Sequence, residues 1–80
     1  MHPNFSRTPA GLELAGVTLY GPRWQSALAR DLGISPRHVR FMAAGERNIS
    51  QGCWRNIAAL LDQKSRDCKE ISAMIINESL

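Results

Sequence analysis

Eighty residues that repeatedly start and stop helices, and nowhere alternate apolar with polar side chains, predict an all-α fold: one compact domain of four to five helices. Thr8-Pro9 and Ser35-Pro36 supply helix starts. In each pair the hydroxyl caps the first free N–H groups, and proline at the first helical position lacks a donor that would be idle there. Gly21, Gly33 and Gly45 supply the stops. Between these marks apolar residues recur three and four apart.

A first helix is expected over roughly residues 9–20, with Leu12, Ala15 and Leu19 on one face and Gly21-Pro22 at its end. Gly11 and Gly16 each cost about 1 kcal/mol relative to alanine, so this helix depends on packing. In the second, Trp24, Ala27, Leu28 and Leu32 form the apolar side, Arg23, Ser26 and Arg30 lie away from it, and Gly33 is the stop. The third opens at Ser35-Pro36, turns Val39, Met42 and Ala43 inward and ends at Gly45. Ser50 caps a fourth, striped by Trp54, Ile57, Ala58 and Leu61, and both tryptophans read as core. Beyond Gly52 nothing breaks helical propensity. On this reading residues 1–7 are a flexible tail, 8–63 the domain and 64–80 a helical extension that either dimerises or folds back as a fifth core helix.

Apolar residues make up 44% and charged residues 21%, the balance of a globular domain, although one this small buries only about 60% of its unfolded surface. No run approaches the roughly 20 apolar residues that span a bilayer, and Met1 to Arg7 contain no apolar signal core. Cys53 and Cys68 lack the close pairing of a redox or zinc site. The expectation is a soluble, unanchored, cytoplasmic protein without metal or cofactor. No catalytic set emerges either: His2 lies in the tail, and His38 has neither carboxylate nor nucleophile on a shared face. Charge is more telling in its distribution than in its net +3. Six arginines (23, 30, 37, 40, 47 and 55) face only Asp31 and Glu46 in the middle third, while the rest of the chain nearly cancels. The positive field therefore sits where a polyanion would bind.

The segment from Gln25 to Met42 has a further internal logic. Ala29 is small enough for two helices to cross closely; Gly33, four residues on, permits the positive φ of a sharp turn; Ile34 plugs that turn; Val39 packs back on Ala29, with Leu28, Leu32 and Met42 completing the core. This pattern resembles the helix-turn-helix of the Cro and phage-repressor (XRE-like) class. The likeness extends from Tyr20 to Leu61 through the Gly-Pro-Arg-Trp-Gln entry, the Ala-Gly-Glu-Arg exit and the Trp-Arg-x-Ile-Ala-x-Leu-Leu helix. It implies a lambda-repressor-like fold and a second motif helix, about residues 36–44, that enters the major groove of double-stranded DNA. It also implies backbone contacts from Arg23 and Gln25, with Arg47 as a similar phosphate candidate. Phe41 and Met42 depart from the polar or basic residue and the tryptophan usual there, so no target sequence carries over.

Helical geometry gives the same face independently. At 100° per residue Arg37, Arg40, Phe41 and Ala44 occupy a sector of roughly 100° opposite Val39. Arginine offers guanine a bidentate fork and an exposed phenyl ring meets a thymine methyl, so Arg37, Arg40 and Phe41 are the expected base readers. His38, at the side of that face, is a further base or phosphate candidate, and Ser35 is expected to cap the helix and to reach a base edge or phosphate, so that Ser35, Arg37, His38, Arg40 and Phe41 are the five candidate base contacts.

The resulting expectation is a sequence-specific transcriptional regulator, a repressor acting by promoter occupancy; the resemblance implies a phage or mobile-element setting. A protein-interaction module docking through Phe41 and the C-terminal helix is the alternative. RNA is a weaker fit, because exposed aromatic platforms for unstacked bases are missing. Ile57, Leu61, Lys64, Cys68, Ile71 and Ile75 are spaced 4, 3, 4, 3, 4, a heptad seam with Met74 beside it. That seam predicts a homodimer through Cys68, Ile71, Met74 and Ile75 on an inverted-repeat operator, with half-sites roughly 34 Å apart.

Overall fold

A computed structural model describes residues 7–79; apart from Arg7, the tail expected over 1–7 lies outside the described residues. The order is α1 (Pro9–Tyr20), α2 (Trp24–Leu32), α3 (Pro36–Ala43) and α4 (Gln51–Ser79), with no strand among the described residues. Three of the helices begin on the hydroxyls expected of them. Thr8 Oγ1 accepts from the Gly11 N–H at 3.0 Å, Ser35 Oγ from His38 at 3.1 Å and Ser50 Oγ from Cys53 at 3.0 Å. α2 starts at Arg23 without a side-chain cap.

One core joins all four helices. Leu12 from α1, Leu28 from α2, Val39 and Met42 from α3 and Ile57 from α4 are fully buried, each contributing about 1.5–3 kcal/mol by leaving water. Ala15, Leu19, Trp24, Ala29 and Ile49 complete it. At the α2–α3 turn Gly33 takes φ 71°, its N–H bonds the Arg30 carbonyl at 3.2 Å, and the next N–H, of Ile34, bonds the Ala29 carbonyl at 3.0 Å. This pair of hydrogen bonds closes the end of α2 and reverses the chain within three residues. Ala29 and Val39, the pair expected at the close crossing, are both 0% exposed. The same bonding pattern closes α3, where Gly45 donates to Met42 and Glu46 to Phe41.

Sequence periodicity overstated the core contribution of α4. Trp54 and Leu61 are only partly buried and Ala58 is exposed, because the body touches α4 along a narrow strip centred on Ile57. Nor does the chain fold back into a fifth helix. α4 runs unbroken for 29 residues, about 43 Å, and every residue from Asp62 to Glu78 is exposed. Lys64 sits on the seam for a reason that spacing does not reveal: its Nζ donates to the carbonyls of Thr18 and Leu19 at 2.9 and 2.7 Å, satisfying the C-terminal end of α1 where the helix dipole is negative.

Tyr20 ties the same region to α2, its hydroxyl donating to Asp31 at 2.6 Å. Burial, then the hydrogen bond and the negative charge of Asp31, push its pKa up to about 12. The folded value exceeds the unfolded one of about 10, so this contribution to stability is complete below pH 10 and is lost as pH rises towards 12. Tyr20→Phe is expected to cost about 0.5–1.5 kcal/mol at neutral pH and to flatten the decline between pH 10 and 12. Urea melts across that interval check it; an equally steep decline in the variant would assign the titration elsewhere.

Candidate nucleic-acid interface

α3 is eight residues long, and its amphipathicity decides what it presents. Val39 and Met42 anchor it, leaving Arg37, Arg40 and Ala44 exposed on the opposite side. Phe41 falls in that outward sector yet is half-buried, with the Arg37 guanidinium over its ring at 5.3 Å from the centroid. The outward face is thus two arginines and a small residue, with the phenyl ring as a platform under one of the guanidinium groups. Such stacking contributes about 0.5–1 kcal/mol at an exposed site and limits the rotamers of Arg37.

A shallow depression of about 310 Å³ is lined by Ser35, Arg37, His38, Phe41 and Arg47. Four of the five expected base readers therefore meet one expected phosphate contact, Arg47, which arrives from the loop after α3. Arg40 lies on the other flank of the helix and does not line it. Arg23 and Gln25 line a separate depression of about 320 Å³ with Pro22, Trp24 and Ser26 at the start of α2. There, the N–H groups of the first turn meet no capping side chain, an arrangement suited to phosphate. Among the described residues Arg30 lies 3.7 Å from Asp31 and Arg66 3.0 Å from Asp62, whereas Arg23, Arg37, Arg40 and Arg47 pair with no carboxylate. Four guanidinium charges are left facing water.

The sequence matches no protein-family model, no curated protein and no solved structure.

Behind the arginine face lies a cavity of about 350 Å³ lined by Ile34, His38, Met42, Arg47, Asn48, Ser50 and Cys53. Asn48 and Ser50 were not singled out from sequence as neighbours of the face, because the cavity is assembled from the turn, α3, the following loop and the start of α4. No local spacing encodes that meeting. Burial pushes the Cys53 thiol up in pKa, which holds it in the neutral, weakly nucleophilic form. Among the described residues no three His, Cys, Asp or Glu side chains converge as a metal site, and no helix is long and apolar enough to cross a membrane. The residues expected to dimerise, Cys68, Ile71, Met74 and Ile75, stand apart from the arginine face on the exposed half of α4.

Proposed function

We propose that this protein is a sequence-specific double-stranded DNA-binding regulator, that α2 and α3 act as a helix-turn-helix, and that α3 is the element that enters the major groove. The observation that carries the reading is the outward display of Arg37 and Arg40, paired with no carboxylate, from a helix fixed to the core by Val39 and Met42. A helix about 10–12 Å across with its side chains fits the width of the groove, and each guanidinium supplies the fork that recognises O6 and N7 of guanine. Arg37 and Arg40 read bases; Ser35, His38 and Phe41 border them and take van der Waals and polar contacts with the neighbouring bases and sugars. Arg23, Gln25 and Arg47 bind phosphates and fix the docking angle. Repression by promoter occupancy follows from such a domain without further machinery. The setting we infer is the cytoplasm, with Cys53 and Cys68 as free thiols.

The test is selection of bound sequences from a random duplex pool, followed by affinity measurement against salt. A preferred sequence should emerge, and log Kd should rise linearly with log salt. Arg23→Ala and Arg47→Ala should weaken all duplexes alike and each reduce the salt slope by about one unit. A pool that returns no consensus, together with salt-insensitive binding to proteins, would instead favour docking through apolar surface.

A further inference from the structure

We propose that Arg37 and Phe41 together read one base step: a guanine and, in the adjacent base pair, a pyrimidine that carries a methyl group on C5. A cytosine methylated at that position then tightens binding, so the protein distinguishes the two methylation states of one sequence. This rests on the reading of α3 as the helix in the groove.

The two side chains stand one turn apart on α3, and the Arg37 guanidinium lies over the Phe41 ring, 5.3 Å from its centroid. A guanidinium that forks onto O6 and N7 is coplanar with its guanine. Whatever covers its face therefore lies outside the plane of that base pair. Successive base pairs are stacked ~3.4 Å apart, so two steps span ~6.8 Å. The ring centre stands no more than 5.3 Å from the guanidinium plane, short of two steps, and accordingly meets the edge of the adjacent pair. In the major groove that edge presents polar atoms and one apolar group, the methyl on C5 of thymine. 5-Methylcytosine carries its methyl on the same ring carbon, so both bases offer Phe41 the same partner.

The surroundings of the ring fit that partner. Phe41 is half-buried, and its backbone carbonyl accepts the N–H groups of Glu46 and Arg47 at 2.9 and 3.2 Å, so the ring is carried on a closed turn. Of the residues lining the depression, Ser35, Arg37, His38 and Arg47 are polar or charged, and Phe41 alone is apolar. One apolar spot in a cationic concavity favours one apolar group on an otherwise polar base edge. A hydrogen on C5 leaves the ring partly against water, whereas a methyl covers it. Arg40 supplies the comparison within the same helix. It is exposed and lies outside the depression, so the guanine it reads carries no such dependence on its neighbour.

The duplex selected from the random pool tests this with the protein unchanged. Arg37→Ala marks the guanine that this side chain reads, by the position whose preference relaxes, and the pyrimidine of each flanking base pair is then exchanged in turn. At one of these pairs thymine→uracil should raise Kd about three- to fivefold, and cytosine→5-methylcytosine should lower it by the same factor, the worth of one buried methyl. The same exchanges at the far neighbour of the guanine read by Arg40 should leave Kd unchanged. In Phe41→Ala, methylated and unmethylated duplexes should bind alike; because both are measured on one protein, any loss of stability in the variant cancels from the ratio. A consensus whose affinity ignores the methyl at both flanking pairs overturns the two-base reading and leaves α3 as the reading helix. A methyl preference that Phe41→Ala leaves intact also overturns it, assigning the methyl to Arg37 alone. A pool that returns no consensus overturns the reading of α3 itself, and this step with it.

Discussion

Alanine at Arg37 or at Arg40 will lower affinity for the selected duplex by about 1–3 kcal/mol each, while affinity for random duplex falls much less. The asymmetry follows from geometry: a fork that matches O6 and N7 of one guanine loses its partners on any other base, whereas a phosphate contact is the same everywhere. Both side chains point away from Val39, so the fold is left intact. Arg37→Ala also removes the stacking on Phe41, a stability loss of up to about 1 kcal/mol that a melting curve separates from the binding loss. Phe41 gives an internal control. Phe41→Leu keeps an apolar plug beneath the guanidinium but removes the ring, so it should relax preference at the base read by Arg37 and leave that read by Arg40 unchanged. Equal losses on specific and random DNA would move both arginines to the phosphate class. No loss on either would end the assignment of α3 as the reading helix.

The elements legible in the sequence are those whose cause is local. A hydroxyl that caps, a proline at the first helical position and a glycine at positive φ act within four residues of themselves, and both bounds of α1 and α3 and the end of α2 coincide with those marks. The burial of Leu12, Leu28, Val39, Met42 and Ile57 is legible for a related reason, since helical period alone sorts inward from outward. What spacing does not encode is how much of a stripe finds a partner. Trp54 and Ala58 share the stripe of Ile57 but leave the body at its edge, and Lys64 reads as a flaw in a seam until its two carbonyl partners on α1 are known. The arginine face divides in the same way. The outward sector of Arg37, Arg40, Phe41 and Ala44 comes from 100° per residue, whereas the arrival of Arg47 beside Arg37 and His38 depends on how the loop after α3 returns across it.

Gly16→Ala will destabilise the domain by about 1–3 kcal/mol even though it improves helix propensity by about 1 kcal/mol. On sequence grounds Gly16 only weakens α1; in the fold it makes room for the close approach of Trp24. A Cβ at Gly16 would lie 2.2 Å from Cε3, 2.4 Å from Cδ2 and 2.8 Å from Cγ of the indole, against the 3.4–4 Å of ordinary contact. The ring has little freedom to retreat, being 5% exposed and packed in the core with Leu12, Leu28 and Ala29. Relief therefore requires α1 and α2 to move apart, which opens space beside side chains that are now fully buried. For a domain of this size each kcal/mol lowers Tm by roughly 4–8 °C, well within the reach of a thermal melt. Gly52 supplies the contrast, because it lies in the first turn of α4 with nothing within 4 Å of the position a Cβ would take. Gly52→Ala should be neutral or stabilise by up to about 1 kcal/mol. Trp24→Leu, which alone leaves a cavity, should cost less in the Gly16→Ala background than in the wild type, since the added methyl occupies part of the space left by the ring. A Gly16→Ala protein that melts higher than the wild type would show that the indole does not lie against α1, and with it would go the packing that holds α2 on α1.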